Sequence, residues 1–412
     1  MEFVADFHIH SKYSRATSRE MDLDHLADWA RIKGIKLLGT GDFTHHLWLE
    51  ELKLKLEPLD NGLFIYKDIY FILTGEISSI YSKNNRTYRI HNLVFAPSFK
   101  IVDKINSILS SCGNIASDGR PILGLDAKEL ARIMFDTSED NFVVPAHAWT
   151  PWFSVFGSMS GFNSVEECFE ELTPKIHCLE TGLSSDPAMN WRLSKLDKYT
   201  LISNSDSHSP SKIGREANVF NCNLDYKEIL DVLKTKDKKR FLYTIEFFPE
   251  EGKYHFDGHR LCQVRFSPEE TRTHQNKCPK CGKPLTVGVM NRVEELADRP
   301  IGFVPENSIP FKNLIPLEEI IADAKGVKKE SVAVEREYHA VVSKFSNEFE
   351  ILLKASKEEL LKKIPPKIVE GILLVRQGKV KLEPGFDGEY GKIHIFSNEP
   401  KDKKQDSQLS LF

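Results

Sequence analysis

The chain has 412 residues, with 56 Lys and Arg against 60 Asp and Glu for a formal net charge of -4. That length can bury the cores of two or three domains, and the near-neutral balance excludes a globally basic nucleic-acid binder, so any contact with phosphates must come from a local patch. No stretch is long and apolar enough to span a membrane, the N-terminus lacks a signal-peptide layout, and seven cysteines with one tight Cys-x-x-Cys pair point to a reducing, cytoplasmic location.

From residue 1 to about 221, short apolar runs alternate with amphipathic segments. The runs are Val4–Ile9, Ile35–Leu38, Tyr70–Leu73, Ile90–Phe95, Phe142–Val144, Ile176–Leu179 and Thr200–Ser203; the segments include Asp22–Lys33, Ala127–Met134 and Val165–Leu172. Alternation repeated this often predicts a parallel sheet closed into a (β/α) barrel, in which function sits at the C-terminal ends of the strands. Chemistry-bearing residues stand at those ends. His8 and His10 close the first run, Asp42 and His45 follow the second, and Glu76 the third. His147 follows the fifth run and Asp206 and His208 the last, whereas His91 stands early in the fourth.

His8 and His10 are two residues apart, so in a strand both imidazoles point to one side. A lone His-x-His is a chance pair about as often as a site, and Asp42 or Asp206, each standing alone, would be a helix N-cap about one time in four. Nine imidazole or carboxylate groups at successive strand ends (His8, His10, Asp42, His45, Glu76, His91, His147, Asp206 and His208) do not fit that explanation. They match the number that two or three closely spaced metals with shared carboxylates require.

These residues resemble the polymerase-and-histidinol-phosphatase (PHP) superfamily of metal-dependent phosphoesterases over the first half of the chain. The resemblance implies a distorted (β/α)7 barrel holding two or three divalent metals, with zinc first and magnesium or manganese as alternatives. It implies the nine residues as ligands and Glu76 as a bridging carboxylate. One departure concerns the second motif, Asp42-Phe43-Thr44-His45-His46, where His45 and His46 compete for one role. Gly39–His45, Val144–Pro151, Asn204–His208, His255–Arg260, Cys278–Cys281 and Gly288–Arg299 together resemble the endonuclease Q family along nearly the whole chain. That likeness implies a DNA-repair enzyme hydrolysing the phosphodiester 5′ to deaminated bases (uracil, hypoxanthine, xanthine) and abasic sites.

Residues 222–253 read as a connection with a helix at Asp225–Lys234, and 254–310 as a zinc-binding module. His259-x-x-Cys262 and Cys278-Pro279-Lys280-Cys281-Gly282 are paired short-spaced ligands on either side of a loop, which suits one closed structural zinc. His255 and His274 compete with His259 for the fourth position. Cys112, Cys168, Cys178 and Cys222 read as buried apolar residues. Basic residues around the module alternate with acidic ones, so the charge pattern alone does not choose between a DNA surface and a solvated face.

Residues 311–397 read as a helical C-terminal domain, with helices at Leu317–Lys325, Val332–Ser346, Lys357–Lys363 and Ile368–Val375. Gly371 and Gly378 with Lys379 weakly resemble a helix-hairpin-helix; plain packed helices are the simpler reading. In the tail, 398–412, Leu409 and Phe412 after Lys401, Lys403 and Lys404 resemble a sliding-clamp (PCNA) peptide, with Gln405 one position out of register.

The predicted chemistry is multinuclear metal hydrolysis without a protein nucleophile, carried by His8, His10, Asp42, Glu76, Asp206 and His208. The expected partner is DNA containing deaminated or abasic nucleotides. Trp149, Trp152 and Phe153 are candidates both for a pocket holding an extruded base and for core. The alternatives are a phosphatase acting on a small phosphomonoester, or a DNA-binding protein with an inactive barrel.

Overall fold

The structure, a computed structural model, describes residues 1–396. The expected clamp peptide lies outside the described residues. Among them, no helix is long and apolar enough to cross a membrane.

The strand Glu2–Asp6 pairs parallel with Leu37–Gly39, which pairs parallel with Ile69–Lys83. Ile69–Lys83 then pairs antiparallel with Arg86–Ala96, and that strand pairs antiparallel with Phe142–Pro145. A separate parallel ladder, Cys178–Glu180 with Thr200–Ile202, continues the curve. The Ala148 N–H donates to the Glu180 carbonyl at 2.9 Å on one side of it. On the other, the His10 N–H donates to the Ser207 carbonyl at 3.0 Å, returning the circuit to the first strand.

The strands are thus mixed in direction rather than all parallel. The cause is local. Asn84 (φ 51°) and Asn85 (φ 61°) both occupy the left-handed region, and two such residues between strands make the tight turn that matches strand twist. The chain therefore doubles back after Lys83 instead of crossing over through a helix. Phe241–Glu246 and Phe311–Asn313 extend the sheet beyond Ala217–Asn221, so the segment expected as a connection and the start of the C-terminal region both supply strands.

Inside the curve, Phe7, Ile72, Leu93, Val144, Cys178 and Ile202 form part of one buried apolar cluster. Side chains two apart share a face of a strand. From Ile72 the same face leads forward through Thr74 to Glu76; from Cys178 it leads to Glu180. From Leu93, on a strand running the other way, it leads back to His91. The apolar plug therefore carries a polar layer directly above it. His91 comes early in its run because its strand is reversed, which the rule of C-terminal strand ends does not anticipate.

Cys168, Cys178 and Cys222 are buried as expected, but Cys112 is exposed, because it ends the helix Phe99–Cys112 on its solvent side. In the C-terminal region the helices run Leu317–Lys325, Val332–Val342, Lys357–Lys363 and Pro366–Arg376. Ser356 and Glu359 form a capping box at the third of them. Gly371 serves helix packing: a Cβ there would lie 2.8 Å from Ile320 Cγ2.

A buried ion pair ties this region to the end of the helix Leu23–Lys33. Glu348, 3% exposed, receives Lys33 Nζ at 2.7 Å and the Leu317 N–H at 3.0 Å, and the Tyr338 hydroxyl also donates to it. Burial pushes its carboxyl pKa up, but Lys33 foremost, then Tyr338 and Leu317, hold it below the ordinary value. Glu348→Ala is expected to cost about 3–5 kcal/mol in urea unfolding, because Lys33 is left buried without its partner. Since the folded pKa is depressed, the stabilisation is present above the unfolded value of about 4.3 and is lost as pH falls through the folded one. The variant should therefore lose less stability than the parent on acidification below about pH 4.

Candidate metal centre

Glu76 is the meeting point. It is 1% exposed, and its two oxygens face different pairs of imidazoles. Oε1 lies 2.6 Å from His91 Nδ1 and 3.0 Å from His147 Nε2. Oε2 lies 3.3 Å from His10 Nε2 and 3.6 Å from His8 Nε2, and Arg120 Nη1 approaches it at 3.0 Å. Burial pushes the Glu76 carboxyl pKa up, yet His91, Arg120 and His8 outweigh it and hold the group well below the carboxylate range. Asp206 Oδ1 completes the nearer set, 3.0 Å from His10 Nε2 and 3.7 Å from His8 Nε2.

Two groups of donor atoms result, each gathered within 4.8 Å: His8, His10, Glu76 and Asp206, and then Glu76, His91 and His147. Glu76 belongs to both. The fit to a metal has a direct sign, since His8 Nε2 is buried and has no hydrogen-bond partner although it points into the first group. An unsatisfied buried donor or acceptor is costly, and a cation resolves it.

The outward nitrogens of the two N-terminal imidazoles are held by carboxylates. His8 Nδ1 is 3.0 Å from both oxygens of Glu180, and His10 Nδ1 is 3.0 Å from Asp42 Oδ1. Asp42 Oδ2 accepts from the Ser11 N–H at 2.6 Å, the Ser11 hydroxyl at 2.7 Å and the Ser14 hydroxyl at 2.8 Å. Neither Asp42 nor Asp206 caps a helix. Asp42, His45 and His208 lie outside the two donor groups. His45 stacks on Tyr13 at 4.5 Å with its Nδ1 unpartnered, His46 is exposed, and the His208 ring lies tilted against that of His10 with centroids 4.5 Å apart.

Two residues escaped the sequence reading. Glu180 ends the Ile176–Leu179 run, and the strand-end rule that found the others applies to it equally. It also accepts from the His147 N–H and Asn204 Nδ2, both at 2.8 Å. Arg120 sits in a turn with no periodic signal. A cleft of about 390 Å³ opens over the second group, lined by Ser78, Arg120, Thr150, Trp152, Phe153 and Asp206 among others. Trp149 instead belongs to the core, 1% exposed.

In the second region, His259, Cys262, Cys278 and Cys281 bring their ligand atoms within 4.8 Å. Gly282, at φ 73°, turns the chain so that its N–H donates to the Cys278 carbonyl at 2.8 Å. His255 is buried elsewhere, in a second cavity, and His274 stacks on Phe266, so neither replaces His259. Three thiols and one imidazole suit a closed tetrahedral zinc.

Glu180→Gln keeps the size of the side chain and removes its charge. Metal affinity of the barrel, read by competition with a chelator, should fall about 10- to 100-fold. Cys278→Ser should lower the zinc content of the purified protein by one equivalent, and unchanged content would refute the assignment of the thiol cluster.

The family described as MJ0043 C-terminal domain matches residues 316–379. The relative MJ0043 of Methanocaldococcus jannaschii is 36% identical over 254 residues, 60% of this chain, and the match spans only 31% of that longer protein. Two solved structures resemble the chain over its whole course. One is the lesion-specific endonuclease PfuEndoQ from Pyrococcus furiosus, 32% identical with a TM-score of 0.87 over 98% of both chains. The other is an Endonuclease Q complex with a 27-mer duplex substrate carrying an abasic lesion at the active site, 31% identical with a TM-score of 0.85, covering 98% of this chain and 100% of that one. With that likeness of sequence and fold from end to end, the chain belongs to the endonuclease Q family of nucleases.

Proposed function

We propose that the chain is a lesion-directed, metal-dependent DNA endonuclease that hydrolyses the phosphodiester 5′ to uracil, hypoxanthine, xanthine and abasic sites. The observation that carries this reading is Glu76, one buried carboxylate with each oxygen facing a different pair of imidazoles beside an open cleft. The likeness to a lesion-specific endonuclease, and to one bound to an abasic duplex, supports DNA as the partner.

Imidazole and carboxylate donors suit zinc, with manganese or magnesium as alternatives. Two donor groups sharing Glu76 support two metals; Asp42, His45 and His208, which form no such group among the described residues, are the remaining candidates for a third. Held by His8, His10, Glu76 and Asp206 and by Glu76, His91 and His147, divalent metals would supply Lewis-acid chemistry for activating water and offsetting phosphate charge. The protein's own side chains do the remaining work. Glu180 and Asp42 fix the rings of His8 and His10 by Nδ1, so that each presents Nε2 inward.

Arg120, with 27% of its side chain exposed in the cleft, is anchored by one nitrogen on Glu76 and keeps further N–H donors for non-bridging phosphate oxygens. Trp152 and Phe153 on the cleft wall provide flat faces for a base taken out of the stack. Burial lowers the pKa of both His45 and His208, so at neutral pH these imidazoles act as acceptors or ligands and not as a store of protons.

The test uses 5′-labelled duplexes carrying one uracil, one hypoxanthine, one abasic site or no lesion. A single cut on the 5′ side of each lesion, absent from the undamaged duplex and abolished by a chelator, is the expected result; intact lesion duplexes would overturn the reading. His8→Ala should abolish cleavage while retaining DNA binding. Arg120→Ala should lower kcat about a hundredfold to a thousandfold with metal content unchanged.

A further inference from the structure

The cleft continues along a ridge toward the zinc module. Trp152, on the cleft wall, meets Tyr254 edge-on with ring centroids 5.3 Å apart. Tyr254 packs against the turn at Gly388, where an added Cβ would lie 3.7 Å from Tyr254 Oη and 3.6 Å from Arg260 Nη1. The Gly388 N–H donates to the Lys253 carbonyl at 3.0 Å. Lys253 Nζ in turn stands 4.5 Å from the centre of the Tyr390 ring, which is 67% exposed. Three aromatic rings and two cations therefore follow one another outward from the cleft.

The cations are not neutralised locally. Neither Lys253 nor Arg260 forms an ion pair with a side chain among the described residues. The neighbouring acids are engaged elsewhere. Asp387 accepts from the Arg260 backbone N–H and from the Thr286 hydroxyl, each at 2.6 Å, and Glu389 accepts from Gln263 Nε2 at 3.0 Å. Asp387 and Glu389 thereby pin the turn that presents Tyr390 onto the zinc module, so the ridge is held in shape by both regions.

Rings flanked by cations match an unpaired nucleic-acid strand, whose bases offer faces for stacking and whose phosphates need counter-charge. A duplex keeps those faces covered. We propose that this ridge binds the single-stranded DNA segment leaving the cleft, with Trp152, Tyr254 and Tyr390 as stacking faces and Lys253 and Arg260 as phosphate contacts. The proposal rests on the nuclease reading above, which brings the strand to the cleft.

Tyr390→Ala, Lys253→Ala and Arg260→Ala change exposed side chains away from the metal ligands' own donor atoms, and thermal unfolding checks that each variant is folded. Binding of the full chain to a short fluorescein-labelled single strand, and to the same sequence as undamaged duplex, is read by anisotropy across salt. Tyr390→Ala should weaken single-strand binding about tenfold and leave duplex binding within about twofold. Lys253→Ala and Arg260→Ala should each reduce the slope of log affinity against log salt by about 0.7. Single-strand affinity unchanged in all three variants overturns the ridge. Cleavage of a lesion duplex by the parent is measured alongside: a parent that cannot cut, with strand binding still lost in the variants, overturns the nuclease reading and supports the ridge.

Discussion

An ionised carboxylate with no water around it is tenable only where its neighbours are cations or donors. Glu76 meets that condition with four imidazoles and a guanidinium, drawn from four separate parts of the chain. The residue itself lies within Ile69–Lys83, and the hairpin that follows returns His91 to face it. His147 comes from the loop after Phe142–Pro145, Arg120 from a turn between helices, and His8 and His10 from the end of the first strand. The ring of strands and the packing of its loops are therefore coupled through one buried negative charge.

Outside this shell runs a second set of carboxylates and amides that leave the imidazoles little freedom. Glu180 fixes His8 and is itself held by Asn204, whose Oδ1 accepts the Phe7 N–H at 2.9 Å. Asn218 Nδ2 donates to the same Oδ1 at 2.9 Å, which locks the last turn of the ring against the first strand. The zinc module reaches this system through Arg292, 6% exposed on the helix Val289–Leu296. Its guanidinium donates to the carbonyls of Phe156 and Phe162 and to Asn163 Oδ1. Those contacts hold the loop that begins at His147 and carries Trp152, so a helix far along the chain helps to set the wall of the cleft.

Most of the site was legible because strand ends are legible. Alternation alone places His8, His10, Glu76, His147 and Asp206 at strand ends of one sheet, and the spacing of His259, Cys262, Cys278 and Cys281 carries its own geometry. His91 was seen but poorly located, since nothing in its apolar run announces that the strand is reversed; the signal was Asn84-Asn85, a hairpin turn lying between two runs. Glu180 obeyed the rule that found its neighbours and was passed over because it stood alone. Arg120 had no pattern to obey. Turn residues that touch a site only through tertiary packing leave no periodic trace, and the two strands beyond Ala217–Asn221 were hidden for the same reason.

The backbone itself records how firmly the groups of the site are set. Asp42 (φ 48°), His147 (φ 31°) and Asp206 (φ 47°) all occupy the left-handed region, which costs a side-chain-bearing residue on the order of 1 kcal/mol or more. Each lies within four residues of the end of a strand, where the unusual φ turns the chain sharply. Such conformations persist only where the surroundings enforce them. Gly182 lies so near His147 that a Cβ would stand 2.5 Å from the His147 Cβ, and at Gly119 a Cβ would collide with Asp42 Oδ2 and Ser14 Oγ. The loops thus close over these turns with no room for relaxation. Strain held by tight packing, at three strand ends, means that the donor atoms converge because the fold places them there. A metal arriving at the site would find its ligands already aimed, and the organisation energy would have been supplied by the apolar plug and the glycine contacts beneath and beside them.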